Sequence, residues 1–189
     1  MHKIKLVLAG ATLGTVFGGL VAAGPALADE RTCRGTIRAV SVEGVYVPKG
    51  ATCTLVGTRI DGDIKVGGNA TLVARKVRVD GNVQAEGARS VSVIAGSVVD
   101  GSVQVKQGGA ATVTSSRVNG DVQLDDNRRY QRVNGNRVGG NIQVMGNRGG
   151  AEIRRNTVKG DLQCKENRPK PTGGKNTVGG NKEDQCRRF

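Results

Sequence analysis

The sequence predicts an all-β chain, a single-stranded, right-handed parallel β-helix with 19–20 residues per coil. Three observations predict it. First, a short motif returns along the chain. Ile60-Asp61-Gly62, Val79-Asp80-Gly81, Val99-Asp100-Gly101, Val118-Asn119-Gly120, Val138-Gly139-Gly140, Val158-Lys159-Gly160 and Val178-Gly179-Gly180 stand 19 or 20 residues apart, and Val42-Glu43-Gly44 is an earlier member. Fixed self-similarity at this period marks a solenoid. Second, Val79, Gly81, Val83 and Ala85 alternate with Asp80, Asn82 and Gln84, the period of a strand with one buried face. Third, Trp is absent and only two Tyr and two Phe occur. That is too little aromatic bulk for an ordinary globular core but suits stacked Val and Ile. Leucine-rich repeats share the period, but their Leu and Asn consensus is missing. Right-handed winding is the default for parallel crossovers, and one motif per coil gives about seven or eight coils.

The elements follow in order. Residues 1–28 read as a secretory signal peptide: a basic start with Lys3 and Lys5, a small apolar run, and Ala26-Leu27-Ala28 before the cut. The weaker reading is an uncleaved membrane anchor. The expected location is exported: periplasmic, secreted or cell-surface. Without Lys3 and Lys5 the net charge falls from +13 to +11, and the only His, His2, leaves with the leader. The mature chain therefore lacks a His base, a Ser-His or Cys-His pair and a His metal ligand. No cofactor, metal site or small-molecule substrate is expected.

Residues 29–163 form the coils, and 164–189 a cysteine-containing terminal coil or cap. Val73, Val93, Val113, Val133 and Ile153, each 20 apart, are expected to face inward. Cys33 and Cys53 extend that column backwards, and Cys164 joins the column of Val105, Leu124 and Val144. Four cysteines in an exported chain argue for two bridges. More than five coils separate Cys53 from Cys164, roughly 25 Å at one inter-strand spacing per coil, whereas a disulfide tolerates about 4.4–6.8 Å. The expected pairs are Cys33–Cys53 and Cys164–Cys186, one at each end. Asn127, Asn147 and Asn167, and likewise Asn136, Asn156 and Asn176, are expected in turns, where Asn tolerates left-handed backbone.

Three outward columns are expected. One holds Arg59, Arg78, Arg117 and Arg137. The next holds Asp63, Asn82, Ser102, Asp121, Asn141 and Asp161. The third holds Lys65, Gln84, Gln104, Gln123, Gln143 and Gln163. Their plain reading is solubility with side-chain ladders; the alternative is a flat surface for a repetitive glycan. Asp61, Asp63, Asp80 and Asp100 do not read as an acid–base or Ca²⁺ site, because Asn, Gly or Lys replaces members of the set in later coils. An ice-binding array starting from Thr52/Thr54 and Thr112/Thr114 is interrupted by Leu72/Ala74 and Ser92/Ile94. Arg128, Arg129 and Arg132, with Arg148, Arg154, Arg155 and Arg168, offer a surface for an envelope polyanion or anionic glycan; nucleic acid is not an expected partner.

The stretch RIDGDIKVGGNATLVARKVRVDGNVQAEG, Arg59–Gly87, resembles the bactofilins, and their cadence runs from Ile60 to about Cys164. The resemblance implies a right-handed β-helix and, in that family, end-to-end polymerisation without nucleotide. The paired terminal cysteines and the leader depart from the family and oppose open-ended assembly. The expected function is that of a non-enzymatic, secreted structural or surface-interaction protein of the bacterial envelope. A binding module for anionic glycans or polyanions is the alternative, and a carbohydrate-active β-helix enzyme is the least favoured reading. Self-association is a further expectation.

Overall fold

The computed structural model describes residues 30–189; the expected signal peptide lies outside them. Each coil crosses three parallel sheets. Sheet A has nine strands, from Glu30–Thr32 to Lys182–Asp184. Sheet B has eight, from Thr36–Arg38 to Thr172–Gly174, and sheet C has eight of two residues each, from Ser41–Val42 to Thr177–Val178. The result is an all-β solenoid of about 7 turns.

One coil shows how the pattern becomes shape. Val103–Lys106 lies on sheet A, Ala110–Thr114 on sheet B and Arg117–Val118 on sheet C. Val103, Val105, Ala111, Val113 and Val118 face inward and are at most 1% exposed. The residues between them face out, as the two-residue strand period requires. Two corners per coil carry a residue at positive φ: Gln107 (53°) and Ser115 (50°) here, then Asp126 (55°) and Gly135 (68°). The next residue turns into the core, which places Gly108, Ser116, Asn127 and Asn136 in buried positions. The expected left-handed Asn residues are thus corrected by one position. The residue ahead makes the turn, and the Asn points inward.

The inward column on sheet B also needs correction. Leu72 pairs with Val91 and Ala74 with Val93, a step of 19 rather than 20. Leu72 and Ala74 are fully buried, whereas Val73 is outward and half-buried. The column therefore runs Leu55, Ala74, Val93, Val113, Val133, Ile153. The period alone could not show where the chain shortens a coil by one residue.

Both disulfides pair as expected, with Cα separations of 5.5 Å for Cys33–Cys53 and 5.2 Å for Cys164–Cys186. The geometry of the first differs from a stack within one column. Cys33 follows the Thr32↔Tyr46 pair and donates its N–H to the Tyr46 carbonyl. It heads the sheet A column Val47, Val66, Ala85, Val105, Leu124, Val144, Cys164. Cys53 sits on sheet B, in register with Leu72. The bridge therefore ties sheet A to sheet B across one end of the core. The same inward column begins and ends on a bridged cysteine.

At the other end the strand register continues past Cys164, with Leu162↔Lys182, Gln163↔Glu183 and Cys164↔Asp184. Gly173 pairs with the buried Ile153 but has no side chain to fill that place. The Phe189 ring occupies it instead, since a Cβ on Gly173 would collide with the ring. Phe189 thus packs over this end of the core.

These faces predict the outcome of two substitutions. Val113→Asp would bury a carboxylate between Val93 and Val133 and should destabilise by several kcal/mol, or prevent folding, because its neighbours in the column are apolar. Gln123→Ala, on the outward face of sheet A, should change stability by no more than about 0.5 kcal/mol. Equal melting of the two variants in urea would overturn the assignment of faces.

Candidate functional surface

The column Asp63, Asn82, Ser102, Asp121, Asn141, Asp161 stands where sheet C turns into sheet A. Each member uses a side-chain oxygen to accept the backbone N–H of the residue above it. Asp63 Oδ1 accepts from Asn82 at 2.7 Å, Asn82 from Ser102 at 2.9 Å and Ser102 Oγ from Asp121 at 3.0 Å. Asp121, Asn141 and Asp161 continue the series to Asn181, each at 2.7 Å. The residues are half-buried. Asp, Asn and Ser alternate freely because each supplies a short acceptor oxygen. Each member thus spends one side-chain oxygen on the next coil.

The recurrent glycine has its explanation here. A Cβ on Gly140 would collide with Asp121 Oδ1, and one on Gly160 with Asn141 Oδ1. Glycine leaves the space through which the oxygen below reaches the N–H above.

Two further ladders run inside the corners of the later coils. Asn127, Asn147 and Asn167 accept the N–H of Gly108, Asn127 and Asn147, and Gln185 accepts from Asn167. Their amides donate to the carbonyls of Val105, Leu124 and Val144. Asn136, Asn156 and Asn176 do the same for Ser116, Asn136 and Asn156. All six are at most 6% exposed. Gln131, buried in a strand position otherwise held by Leu72, Val91, Ala111 and Ala151, is equally satisfied through Ala111 N–H and the Gly109 and Arg129 carbonyls. Sequence reading misses Gln131. Its in-register place between Ala111 and Ala151, whose small side chains leave room, is the signal that could have found it.

The remaining candidates face outward. Lys65, Gln84, Gln104, Gln123, Gln143 and Gln163 stand in register along sheet A. Among the described residues, no hydrogen bond engages the side chains of Gln84, Gln104, Gln123 or Gln143, so their amides face solvent. Arg128 and Arg129 border one shallow groove with Arg89 and Asn69, and Arg128 also borders a second with Asp126, Gln107 and Arg148. Arg132 pairs with Glu152 at 3.4 Å and lies 5.7 Å from the Tyr130 ring centre. On sheet B the true register sets Thr71/Val73 and Ser90/Ser92, not Leu72/Ala74, between Thr52/Thr54 and Ala110/Thr112.

The Arg column of sheet C is an ion-pair zipper at its start. Arg59 bridges Asp61 (2.7 Å) and Asp80 (2.6 Å), and Arg78 bridges Asp80 (3.2 Å) and Asp100 (3.0 Å). The hydrogen bond that Arg59 donates to Asp61, and then the charge of Asp80, raise the Arg59 pKa above its ordinary value.

One carboxylate stands apart. Asp125 Oδ1 is the only buried side-chain oxygen or nitrogen without a hydrogen-bond partner among the described residues. Burial raises its pKa; Lys106, 3.9 Å away, opposes that shift and Asp126 adds to it. Among the described residues, no group of three or more His, Cys, Asp or Glu is placed to hold a metal ion. Compared with known protein families, curated proteins and solved structures, the chain matches none.

Two substitutions probe this geometry. Asp121→Ala should cost about 1–2 kcal/mol, because the Asn141 N–H loses its acceptor, whereas Asp121→Asn should stay within about 0.5 kcal/mol. Urea melts of both distinguish an acceptor role from a charge role. Asp125 has a folded-state pKa above its unfolded value, so the folded chain binds the proton more tightly. Its cost to stability is full above the folded pKa and vanishes as pH falls below the unfolded one. Asp125→Asn should therefore stabilise at neutral pH and by less in acid, where the carboxyl is already neutral. A stabilisation that grows in acid would contradict this account.

Proposed function

We propose that the chain is a non-enzymatic, exported solenoid that serves as a structural or surface-interaction element of the bacterial envelope. The observation that carries this reading is the continuity of the ladder from Asp63 to Asn181 between two disulfide-tied ends. A polar column that would otherwise be the natural place for a repeated binding site holds successive coils together. Buried polar groups that are fully paired favour one rigid arrangement. The disulfides suit an oxidising compartment, which supports export. The shared cadence with the bactofilins supports a kinship of coil. The ends argue for a different assembly: Phe189 packs over one end of the core and a bridge ties sheets together at the other.

The test is light scattering of the oxidised mature chain over a wide concentration range, with and without reductant. The expected result is a particle of constant size when oxidised and concentration-dependent growth once the bridges are reduced. Filaments growing from the oxidised chain would favour bactofilin-like polymerisation instead. Recovery of the chain in the cytoplasmic fraction, with free thiols, would overturn the exported reading.

A further inference from the structure

On sheet C, the charge pattern changes halfway along one continuous face. In the early coils each Arg sits between two acids, one on its own coil two residues on and one on the next coil. The same slots exist in the later coils but hold other residues. The register that gives Arg59 its Asp61 and Asp80 gives Arg117 the positions of Asn119 and Gly139, and gives Arg137 the positions of Gly139 and Lys159. Among the described residues, Arg117 and Arg137 make no ion pair. Arg155 and Lys175, at the adjoining corner, and Lys159, two residues after the outward Thr157, continue the series. All five cations are exposed.

The five form a band with at least one cation on each of four consecutive coils: Arg117, Arg137, then Arg155 with Lys159, then Lys175. Neighbouring coils lie about 4.8 Å apart, so a ligand following the axis meets a positive group at nearly every step. Among the described residues these five form no ion pair, unlike Arg132 with Glu152, and Asp121 and Asp161 of the same coils are turned to the corner, each with one oxygen held in the ladder. Exposed cations without partners attract polyanions, and guanidinium forks suit phosphate oxygens.

We propose that this half of sheet C binds a linear phosphodiester polymer. This rests on the reading of the chain as an exported surface-interaction solenoid. Charge complementarity selects a chain with closely spaced anions. The aromatic residues Tyr46, Tyr130 and Phe189 lie on sheet A, beside sheet B and at the end of the core, away from this face. Contacts therefore go to the phosphates, without the ring platforms that sugars or bases stack on.

The test measures binding of the oxidised mature chain to immobilised poly(glycerol phosphate) over a series of salt concentrations. The expected result is a linear fall of log affinity with log salt. Combining Arg117→Ser, Arg137→Ser and Arg155→Asn should lower that slope by about 2, at roughly 0.7 for each phosphate no longer neutralised, and weaken binding at least tenfold at low salt. Asn is chosen at position 155 because it tolerates the positive φ there. Arg59→Ser with Arg78→Ser should leave the affinity within twofold, because those guanidinium groups already bridge acids. Melting midpoints are recorded for every variant, so a folding defect is seen separately from a binding defect. The proposal is overturned if the triple variant binds as the parent does, if the Arg59/Arg78 pair weakens binding as much, or if the parent does not bind. Tighter binding to a polyuronate would overturn the phosphodiester assignment, and tighter binding to single-stranded DNA would overturn the claim that contacts go to phosphates alone. Failure of the parent to bind, with scattering and melting as expected, would sink this proposal alone, whereas concentration-dependent filaments or cytoplasmic recovery would sink the reading beneath it.

Discussion

The fold depends on one contact repeated from coil to coil between Asp63 and Asn181: a short side-chain oxygen accepting a backbone N–H directly above it. That contact needs two residues at once. The acceptor must be Asp, Asn or Ser, and the residue before the donor above must be glycine, because a Cβ at Gly81 or Gly140 would occupy the place of the oxygen. The repeat of Gly followed by a small polar residue is therefore a statement about neighbouring coils rather than about a local turn. Each such bond contributes about 1 kcal/mol. A slip of register by one residue would break the whole series at once, and that penalty specifies the register as well as holding it.

The interior changes character along the axis. In the first coils the corners bury Ala51, Ala70, Thr58 and Val77; from Asn127 and Asn136 onward they bury Asn. Each buried Asn reaches the coil before it twice, accepting an N–H and donating to a carbonyl. Such a ladder is tolerated in a core because no member is left unpaired. The later corners are accordingly held by continuous Asn ladders, whereas the earlier ones combine small apolar residues with single hydrogen bonds from Thr58 and Ser97. The sheet C surface changes over the same stretch, from the zipper of Arg59, Asp80 and Arg78 to exposed Arg and Lys that form no ion pair among the described residues.

Much of this is legible in the residues. Period and alternation reveal the coil, the outward Gln stripe on sheet A and both cysteine pairs. What stays hidden depends on register. A period of 19 or 20 does not say which coil is one residue short, so counting by 20 puts Val73 inward in place of Leu72 and Ala74. The same counting puts Cys33 in the column of Cys53, although the two stand on different sheets. The Asn residues are recognisable as corner residues, but their inward direction depends on the positive φ of Asp126 or Arg155 just ahead, and a sequence does not display φ. The Arg128, Arg129 and Arg132 group stands out by its density in sequence, whereas unpaired charge depends on which residues lie on the next coil.

Native-state hydrogen exchange of the oxidised chain tests the central contact most directly. The amides of Asn82, Ser102, Asp121, Asn141 and Asp161 donate to side chains at the edge of a half-buried corner. If the ladder holds the coils together, these amides should be protected nearly as well as the core strand amides of Val103 and Val122, with protection of Asn141 lost in Asp121→Ala. Exchange of all five at the rate of exposed turn amides, with the strand amides still protected, would contradict the account.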